Sequence, residues 1–321
     1  MILQREYQMN NDTVTSLGKL ADGSAQVHEL EAEGWILSGR YRLLEEIGHG
    51  GMGKVHRVVD LEDSGRTCAV KVMHNHLKSD SKNRLRFERE ARLAVGLNHP
   101  NILNVTDYGI TEANEPFIIM ELLSGDSLDA LLKKQKRLMP DQFKNVFQQV
   151  CAGLQYAHES GVVHRDMKPS NIMLIPTPAA QSHVKIVDFG IAKVCRTTGE
   201  LCPSTGKPLE LSITQPGEIF GSPLYMSPEQ CFGEEVDCRS EVYSLGCMMF
   251  ESLCGDAPLR GKNARDTLLQ RVHSNAPRLK EVCPDGAFSE DLEDLVARCL
   301  KREPADRFQS VAELGLALSR L

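Results

Sequence analysis

The sequence predicts an α+β fold with two lobes, a small antiparallel β-sheet lobe that carries one key helix and a larger, mainly helical lobe. The chain has 321 residues, more than the ~100–200 residues of a usual single domain. Residues 41–123 alternate apolar and polar side chains between turns, whereas residues 124–321 show apolar side chains at helical spacing. A cleft between two such lobes is a common place for a ligand.

The small lobe is predicted to start at residue 41, after an extension, residues 1–40, that has few large apolar residues and is expected to be flexible. Alternation between turn residues predicts five strands, at residues 41–48, 54–60, 66–73, 102–108 and 116–120. The turn at residues 63–65 joins the second and third of them into a hairpin. Residues 81–97 are charged and helical in pattern, and Pro100 stops that helix.

The larger lobe is predicted from repeating apolar residues. Spacing of three and four residues predicts one long helix with a buried stripe through Phe143, Val146, Phe147, Val150, Leu154 and Ala157. Further helices are predicted at residues 237–253, 264–273, 290–301 and 310–319. By contrast, residues 196–216 are rich in Thr, Ser, Gly and Pro and are expected to form a mobile loop.

Composition argues against several classes of function. The net charge of −7 gives no overall basic field, so we expect no nucleic-acid partner. No apolar run approaches the ~20 residues of a membrane helix, and the first residues lack a signal-peptide core. We therefore expect a cytoplasmic protein with no membrane segment in this chain. The ten cysteines are too dilute for a disulfide framework, and none forms a C-x-x-C pair.

A glycine cluster, GHGGMGKV, fits the pattern G-x-G-x-x-G-x-V and begins at Gly48. Gly48, Gly50 and Gly53 would let backbone amides approach phosphate oxygens without a side-chain clash. Dinucleotide-binding proteins use a similar string, but a helix follows it there, whereas a strand is predicted here. This favours a phosphate-covering loop on a hairpin, and a simple glycine-rich turn is the alternative.

The next predicted strand places Lys71 between apolar neighbours. A lysine that points from such a strand into a cleft needs an anionic partner. The candidates are nucleotide phosphates and a carboxylate of the following helix, with Glu90 as the first choice and Glu88 as the second. An exposed strand lysine is the alternative interpretation.

The string HRDMKPSN is more specific, because it brings a carboxylate, a cation and a carboxamide into one short loop. Asp166 can accept or orient the proton of an attacking hydroxyl, and Lys168 can neutralise charge on a transferring phosphoryl group. Asn171 offers an oxygen ligand for Mg²⁺. About twenty residues further on, Asp188 begins a D-F-G string after a predicted strand and offers a second hard oxygen ligand.

Taken in order, the strings HGGMGKV, RFEREA, LNHPNI, HRDMKPSNIM, VDFGIAK and GSPLYMSPEQ resemble the eukaryotic-like protein kinase family, and most closely its bacterial Ser/Thr branch. The resemblance implies a bilobal protein-kinase-like fold, with a kinase domain at residues 41–321, an N-lobe at 41–123 and a C-lobe at 124–321. It also implies transfer of the γ-phosphoryl group of ATP, with Mg²⁺, to Ser/Thr hydroxyls of proteins, including the protein's own activation loop.

The resemblance assigns roles to individual residues. The three glycines would cover the ATP phosphates, Lys71 would hold the α- and β-phosphates and pair with Glu90, and Asp166 would be the catalytic base. Asn171 and Asp188 would hold the metal. Contacts to adenine would come from Val55, Ala69, Met173, the gatekeeper Met120, and the hinge residues Glu121 and Leu123. The position of Lys168 after Asp166, together with Ser222, is similar to that in Ser/Thr-directed members.

Two features concern the large lobe of such kinases. Glu229 of a Ser-Pro-Glu string would form a buried ion pair with Arg307, unless Asp306 satisfies that arginine instead. Glu241 stands where most members carry Asp, whose carboxylate bonds the backbone of the catalytic loop. Because glutamate is one methylene longer, it either reaches the loop after a small shift or leaves the loop slightly misaligned.

The activation loop is long for this branch, with an insert near residues 196–211. Arg165 before the catalytic Asp is often a sign of control by activation-loop phosphorylation, since a guanidinium can order a phosphorylated loop. Thr214 is the first candidate acceptor and Ser212 the second, and an ordinary loop hydroxyl is the alternative for Thr214.

Two other classes of function are alternatives to a protein kinase. A pseudokinase scaffold is supported only by Glu241 and the long loop, and the presence of Lys71, Asp166 and Asp188 argues against it. A small-molecule kinase of related fold generally lacks the Ser-Pro-Glu segment found here at residues 227–229.

Overall fold

A computed structural model describes residues 36–50, 53–73, 81–178, 181–189 and 223–321. The side chains of residues 81–84, 86 and 90 are not among those described. The predicted loop hydroxyls Thr214 and Ser212, and Ser222, lie outside the described residues, as does most of the N-terminal extension.

The small lobe is built on an antiparallel sheet with the strand order β1-β2-β3-β4-β6-β5. Its strands are β1 (Ile36–Leu37), β2 (Tyr41–Gly50), β3 (Gly53–Asp60), β4 (Thr67–Met73), β5 (Val105–Ile110) and β6 (Pro116–Met120). Helix α1 (Ser81–Val95) packs against β5, where the buried ring of Phe87 meets Tyr108 edge-on with ring centroids 6.3 Å apart. This arrangement places β4 beside β6, the strand that leads into the second lobe.

The sheet begins earlier than residue 41. Ile36 and Leu37 pair with β2, and Leu37 is buried under the sheet with Tyr41. Arg40 then forms a two-pronged ion pair with Asp60, with Nε–Oδ1 and Nη2–Oδ2 distances of 2.8 and 2.6 Å. Residues 36–40 are therefore packed against the small lobe, just before the predicted boundary at 40/41.

The Arg40–Asp60 pair is expected to make the stability of the fold depend on pH. The hydrogen bonds from Arg40 lower the pKa of Asp60 to about 2. A carboxylate whose folded pKa lies below its unfolded value of ~3.9 stabilises the fold above that pH and loses this effect as the pH falls towards the folded pKa. The unfolding free energies of wild type and Asp60→Asn should therefore differ most at pH 7 and converge only as the pH falls to ~2 in urea titrations. An equal difference at both pH values would contradict this.

The large lobe is mainly helical. Its helices are α2 (Leu128–Gln135), α3 (Pro140–Glu159), α4 (Pro228–Phe232), α5 (Cys238–Cys254), α6 (Ala264–His273), α7 (Leu279–Val282), α8 (Glu290–Cys299) and α9 (Val311–Arg320). A small antiparallel sheet consists of β7 (Asp126–Ser127), β8 (Ile172–Ile175) and β9 (His183–Ile186). The predicted stripe of α3 is confirmed, since its six residues are all buried in one core.

Helix α5 runs through the centre of this lobe and is buried on nearly every side. Even polar residues of its first two turns, Ser240, Glu241 and Ser244, are almost inaccessible to water. Polar groups in such a position need hydrogen-bond partners, and theirs come from segments that border the candidate site. Among the described residues, no helix combines the length and apolar character needed to cross a bilayer.

Candidate active site

The glycine hairpin connects β2 and β3, with Gly48 opposite Val55 and Gly50 opposite Gly53. A Cβ atom on Gly53 would collide with the carbonyl oxygen of Val72, so this glycine permits the close approach of β3 to β4. At Gly50 the same atom would meet open space, and at Gly48 it would only touch Val55. The first two glycines thus leave the surface of the hairpin open, whereas the third serves strand packing.

Lys71 lies on β4 with only 10% of its side chain exposed, and its Nζ is 2.6 Å from Oδ1 of Asp188. Asp188 follows β9 and adopts a left-handed backbone conformation with φ of 61°. A non-glycine residue in this region is strained, and such strain is common at functional sites. The predicted pairing of Lys71 with Glu90 stays a prediction, because the side chain of Glu90 lies outside the described residues.

The loop before β8 brings three predicted site residues together. Lys168 Nζ is 2.8 Å from Oδ2 of Asp166, and Asn171 Nδ2 donates to the backbone carbonyl of Asp166 at 2.8 Å. A short 3-10 turn, Pro169–Asn171, closes the loop, and the N–H of Asn171 donates to the carbonyl of Lys168. The carboxylate, the ammonium group and the carboxamide therefore occupy one small region.

Buried His164 joins this loop to the strand that precedes Asp188. Its Nε2 lies 2.9 Å from the carbonyl oxygen of Val187, and its Nδ1 accepts from the N–H of Asp166 at 3.2 Å. These two contacts require a neutral ring with the proton on Nε2. Val187 also donates its N–H to the carbonyl of Asn171 at 2.9 Å. The two halves of the site, Lys71–Asp188 and the loop around Asp166, are thus held against one another.

Glu241 of α5 contacts the backbone of the loop that carries Asp166. Its Oε1 accepts from the N–H of Arg165 at 2.7 Å, and its Oε2 lies 2.6 Å from Nε2 of His158. Arg165 has a φ of 66°, and its carbonyl accepts from Gln230 at 3.0 Å. The longer side chain of glutamate is therefore accommodated, and the first of the two alternatives for Glu241 is the one observed. The contact with His158 was not predicted.

The predicted adenine contacts lie partly in one hydrophobic cluster. Ala69 and Met120 are buried there and face each other across β4 and β6, with Val55 and Leu123 packed against them. Met173 lies instead on β8, in the small sheet of the large lobe. These residues of the two lobes are the ones predicted to enclose the base.

The hinge segment is braced by the side chain of Glu121. Its carboxylate accepts from the N–H of Asn104 and from Lys185, both at 2.7 Å. The backbone N–H of Glu121 donates to the carbonyl of Asn104 at 3.0 Å. Because that N–H is engaged within the protein, the backbone contact to adenine predicted for Glu121 would have to come from its carbonyl.

The predicted ion pair between Glu229 and Arg307 is confirmed. It is bidentate and buried, with distances of 2.7 and 2.9 Å, and Ser240 donates a further hydrogen bond to Glu229. Burial alone would raise the pKa of Glu229, but the hydrogen bonds and charge of Arg307 outweigh it and lower that pKa. This pair ties α4, and with it the segment beside the loop of Asp166, to the turn that precedes α9.

Comparisons with known proteins agree with this geometry. The protein kinase domain family matches residues 41–314. Serine/threonine-protein kinase PknB of Mycobacterium tuberculosis is 38% identical over 288 residues, which cover 89% of this chain and 43% of PknB. Serine/threonine-protein kinase pkn3 of Myxococcus xanthus is 35% identical over 277 residues, which cover 86% of this chain and 49% of pkn3.

Among solved structures, the kinase domain of Mycobacterium tuberculosis PknI matches with a TM-score of 0.68 and 26% identity, and the match covers 90% of this chain and 98% of that domain. The chain therefore belongs to the protein kinase family, and its bilobal fold is the kinase fold. Within that family it belongs to the bacterial eukaryotic-like Ser/Thr branch. It spans less than half of the length of the curated relatives PknB and pkn3.

Proposed function

We propose that this chain is a protein serine/threonine kinase, which transfers the γ-phosphoryl group of ATP to Ser or Thr hydroxyls of proteins. The observation that carries the proposal is the convergence of the Lys71–Asp188 pair with the loop of Asp166, Lys168 and Asn171. In the chain these groups are up to 117 residues apart. The family's phosphoryl transfer uses a lysine, a base and two oxygen ligands in such an arrangement.

The residues fit a nucleotide with Mg²⁺. The amide nitrogen of Asn171 is engaged with Asp166, which leaves its oxygen as the ligating atom, and Asp188 contacts Lys71 through Oδ1 only. Hard oxygen ligands of this kind suit Mg²⁺, which when bound supplies positive charge beside the β- and γ-phosphates. Gly48 and Gly50 would cover the phosphates, since the hairpin surface above them is open.

The protein's own groups then have defined tasks. Asp166 would accept the proton of the acceptor hydroxyl, and Lys168, at 2.8 Å, would hold that carboxylate and face the transferred group. Lys71 would present its ammonium group to the α- and β-phosphates. His164 and Glu241 would keep the loop in position, because both accept from backbone N–H groups of the loop.

A protein acceptor has room beside this loop. An open cavity of about 370 Å³ borders Lys168 and Ser170 on one side and Tyr225 and Glu251 on the other. We propose protein substrates with Ser or Thr acceptors in this groove and a cytoplasmic location for the domain, where ATP is available. We also infer transfer to the protein's own activation loop, with Thr214 before Ser212 as acceptor.

The test is incubation of the full chain with ATP, Mg²⁺ and a generic basic protein, followed by intact-mass measurement of both proteins. We expect phosphate on the acceptor and on the chain itself, and loss of both in Lys71→Met. Lys144→Met is the matched control, because Lys144 is a half-buried lysine of α3 that donates to the carbonyl of Ser319, and it should behave as wild type. Stabilisation by ATP and Mg²⁺ without any transfer would favour a nucleotide-binding scaffold instead.

Glu241 offers a test of loop positioning. Shortening it to Asp withdraws the carboxylate by about one C–C bond, ~1.5 Å, so it cannot reach both Arg165 and His158. We expect Glu241→Asp to lower kcat about tenfold, since the loop of this chain is placed for the longer side chain, and a shorter one either loses the N–H of Arg165 or draws the loop out of position. Glu241→Gln keeps the length and should be milder. Steady-state kinetics check this at a temperature well below the melting temperature of every variant. A kcat that is higher for Glu241→Asp than for Glu241→Gln would contradict it.

A further inference from the structure

Arg271, in the last turn of α6, is fully buried within the large lobe. Arg307 is buried to the same degree, but its charge is compensated by the carboxylate of Glu229. Within the part of the chain that the structure describes, no carboxylate forms an ion pair with Arg271. A buried guanidinium is costly unless other groups compensate it, so the groups around Arg271 are informative.

Two backbone carbonyls supply that compensation. Nε of Arg271 donates to the carbonyl of Pro223 at 3.0 Å, and Nη2 donates to the carbonyl of Leu224. Nη1 contacts the hydroxyl of Tyr243 at 3.2 Å and the Sγ atom of Cys247 at 2.9 Å. Because both carbonyls belong to one short stretch of chain, the side chain of Arg271 fixes the position of that stretch.

The stretch held by Arg271 lies beside the catalytic loop in space. The carbonyl of Tyr225 accepts from Ser244 at 2.8 Å, and the hydroxyl of Tyr225 donates to Glu251 at 2.6 Å. Tyr225 and Met226 then line a small pocket together with Asp166 and Lys168, among other residues. A displacement of Pro223 and Leu224 would therefore move the wall against which an acceptor must lie.

We propose that Arg271 is a positioning residue for the protein acceptor, which acts by holding residues 223–226 against the loop of Asp166. The inference rests on the proposed kinase function. Of the groups assigned to ATP and its metal, Lys71, Asn171 and Asp188 do not line the pocket of Tyr225 and Met226, so Arg271 acts on the acceptor and not on ATP. Variants of Arg271 should therefore change KM for the protein acceptor and leave KM for ATP nearly unchanged.

The experiment compares Arg271→Met and Arg271→Lys with Arg265→Met, a matched control on the same helix whose arginine is exposed. We expect Arg271→Met to raise KM for the protein acceptor about tenfold while KM for ATP changes less than about twofold. Arg271→Lys should lie between, because one ammonium group replaces only part of the guanidinium's donors. Arg265→Met should equal wild type in both constants.

Amide hydrogen exchange of residues 224–226 provides a second measurement, since Pro223 itself has no amide hydrogen. It should be faster in Arg271→Met and, to a smaller extent, in Arg271→Lys. If Arg271→Met does not fold, Arg271→Lys decides by the same two measurements. An unchanged KM for the acceptor, unchanged exchange, or equal rises in both KM values would overturn the inference. A wild type that transfers no phosphate would instead contradict the proposed function itself.

Discussion

Replacing Asp166 with asparagine is expected to lower phosphate transfer to a protein hydroxyl by about 10²–10⁴-fold. The carboxamide cannot accept the proton of the acceptor, and it removes the negative partner of Lys168 at 2.8 Å. The loop itself should stay in place, since His164 and Asn171 form their shorter bonds, at 3.2 and 2.8 Å, with the backbone of residue 166. Initial rates at saturating ATP, with ATP affinity measured separately by titration, check both expectations.

A control distinguishes this effect from a general loss of charge. Asp141→Asn removes an exposed carboxylate in the first turn of α3, far along the chain from the loop, and should leave the rate unchanged. ATP affinity of Asp166→Asn should remain within about twofold of wild type, because the change affects the chemical step more than ground-state binding. Asp166→Asn with more than about a tenth of the wild-type rate would exclude Asp166 as the base.

The loop around Asp166 could be predicted because its chemistry is local. Asp166, Lys168 and Asn171 lie within six residues, so the string alone places them near one another. The contact between Lys71 and Asp188 spans 117 residues and was not predicted, since the family resemblance placed both residues at one nucleotide but paired Lys71 with Glu90. Pattern rules describe neighbours in sequence, whereas contacts of this kind are set by how whole elements pack.

Glu241 shows the same limit in a different way. The sequence identified the position and the extra methylene but left two outcomes open, and only the distance of 2.7 Å to Arg165 decides between them. Its second partner, His158, lies 83 residues away on α3, and no spacing or charge pattern indicates the contact. The same is true of His164, whose role follows from two hydrogen bonds that join separate segments.

Long helices with a regular apolar repeat were predicted more completely than short strands. Helix α6 has the predicted bounds, and α1, α5, α8 and α9 differ from prediction by a few residues at their ends. Strand β1 was missed because two residues show no alternation, and β8 because a short, continuous apolar run has no period. Packing against the sheet, as in the burial of Leu37, is what makes β1 a strand.

Replacing Glu229 with alanine is expected to destabilise the protein by about 3–5 kcal/mol, because the change leaves the fully buried Arg307 without its carboxylate. Arg307 would retain hydrogen bonds to the carbonyls of Lys301, Arg302 and Arg239 but would lose the bidentate ion pair around which its site is built. Urea unfolding at neutral pH measures the loss. The lowered pKa of Glu229 means that this contribution is present above the ordinary pKa of a glutamate and declines on acidification.

The size of this effect depends on burial and not on the presence of an ion pair as such. Arg298 and Glu313 form a pair of similar length, 2.8 Å, but each side chain is about two-fifths exposed. Glu313→Gln, which removes the charge but can still accept from the N–H of Gln309, should therefore cost no more than about 1 kcal/mol. The double variant Glu229→Leu/Arg307→Met should recover much of the loss of Glu229→Ala, since it removes the unpaired charge along with its partner. A double variant as unstable as Glu229→Ala would mean that packing, and not an uncompensated guanidinium, causes the loss.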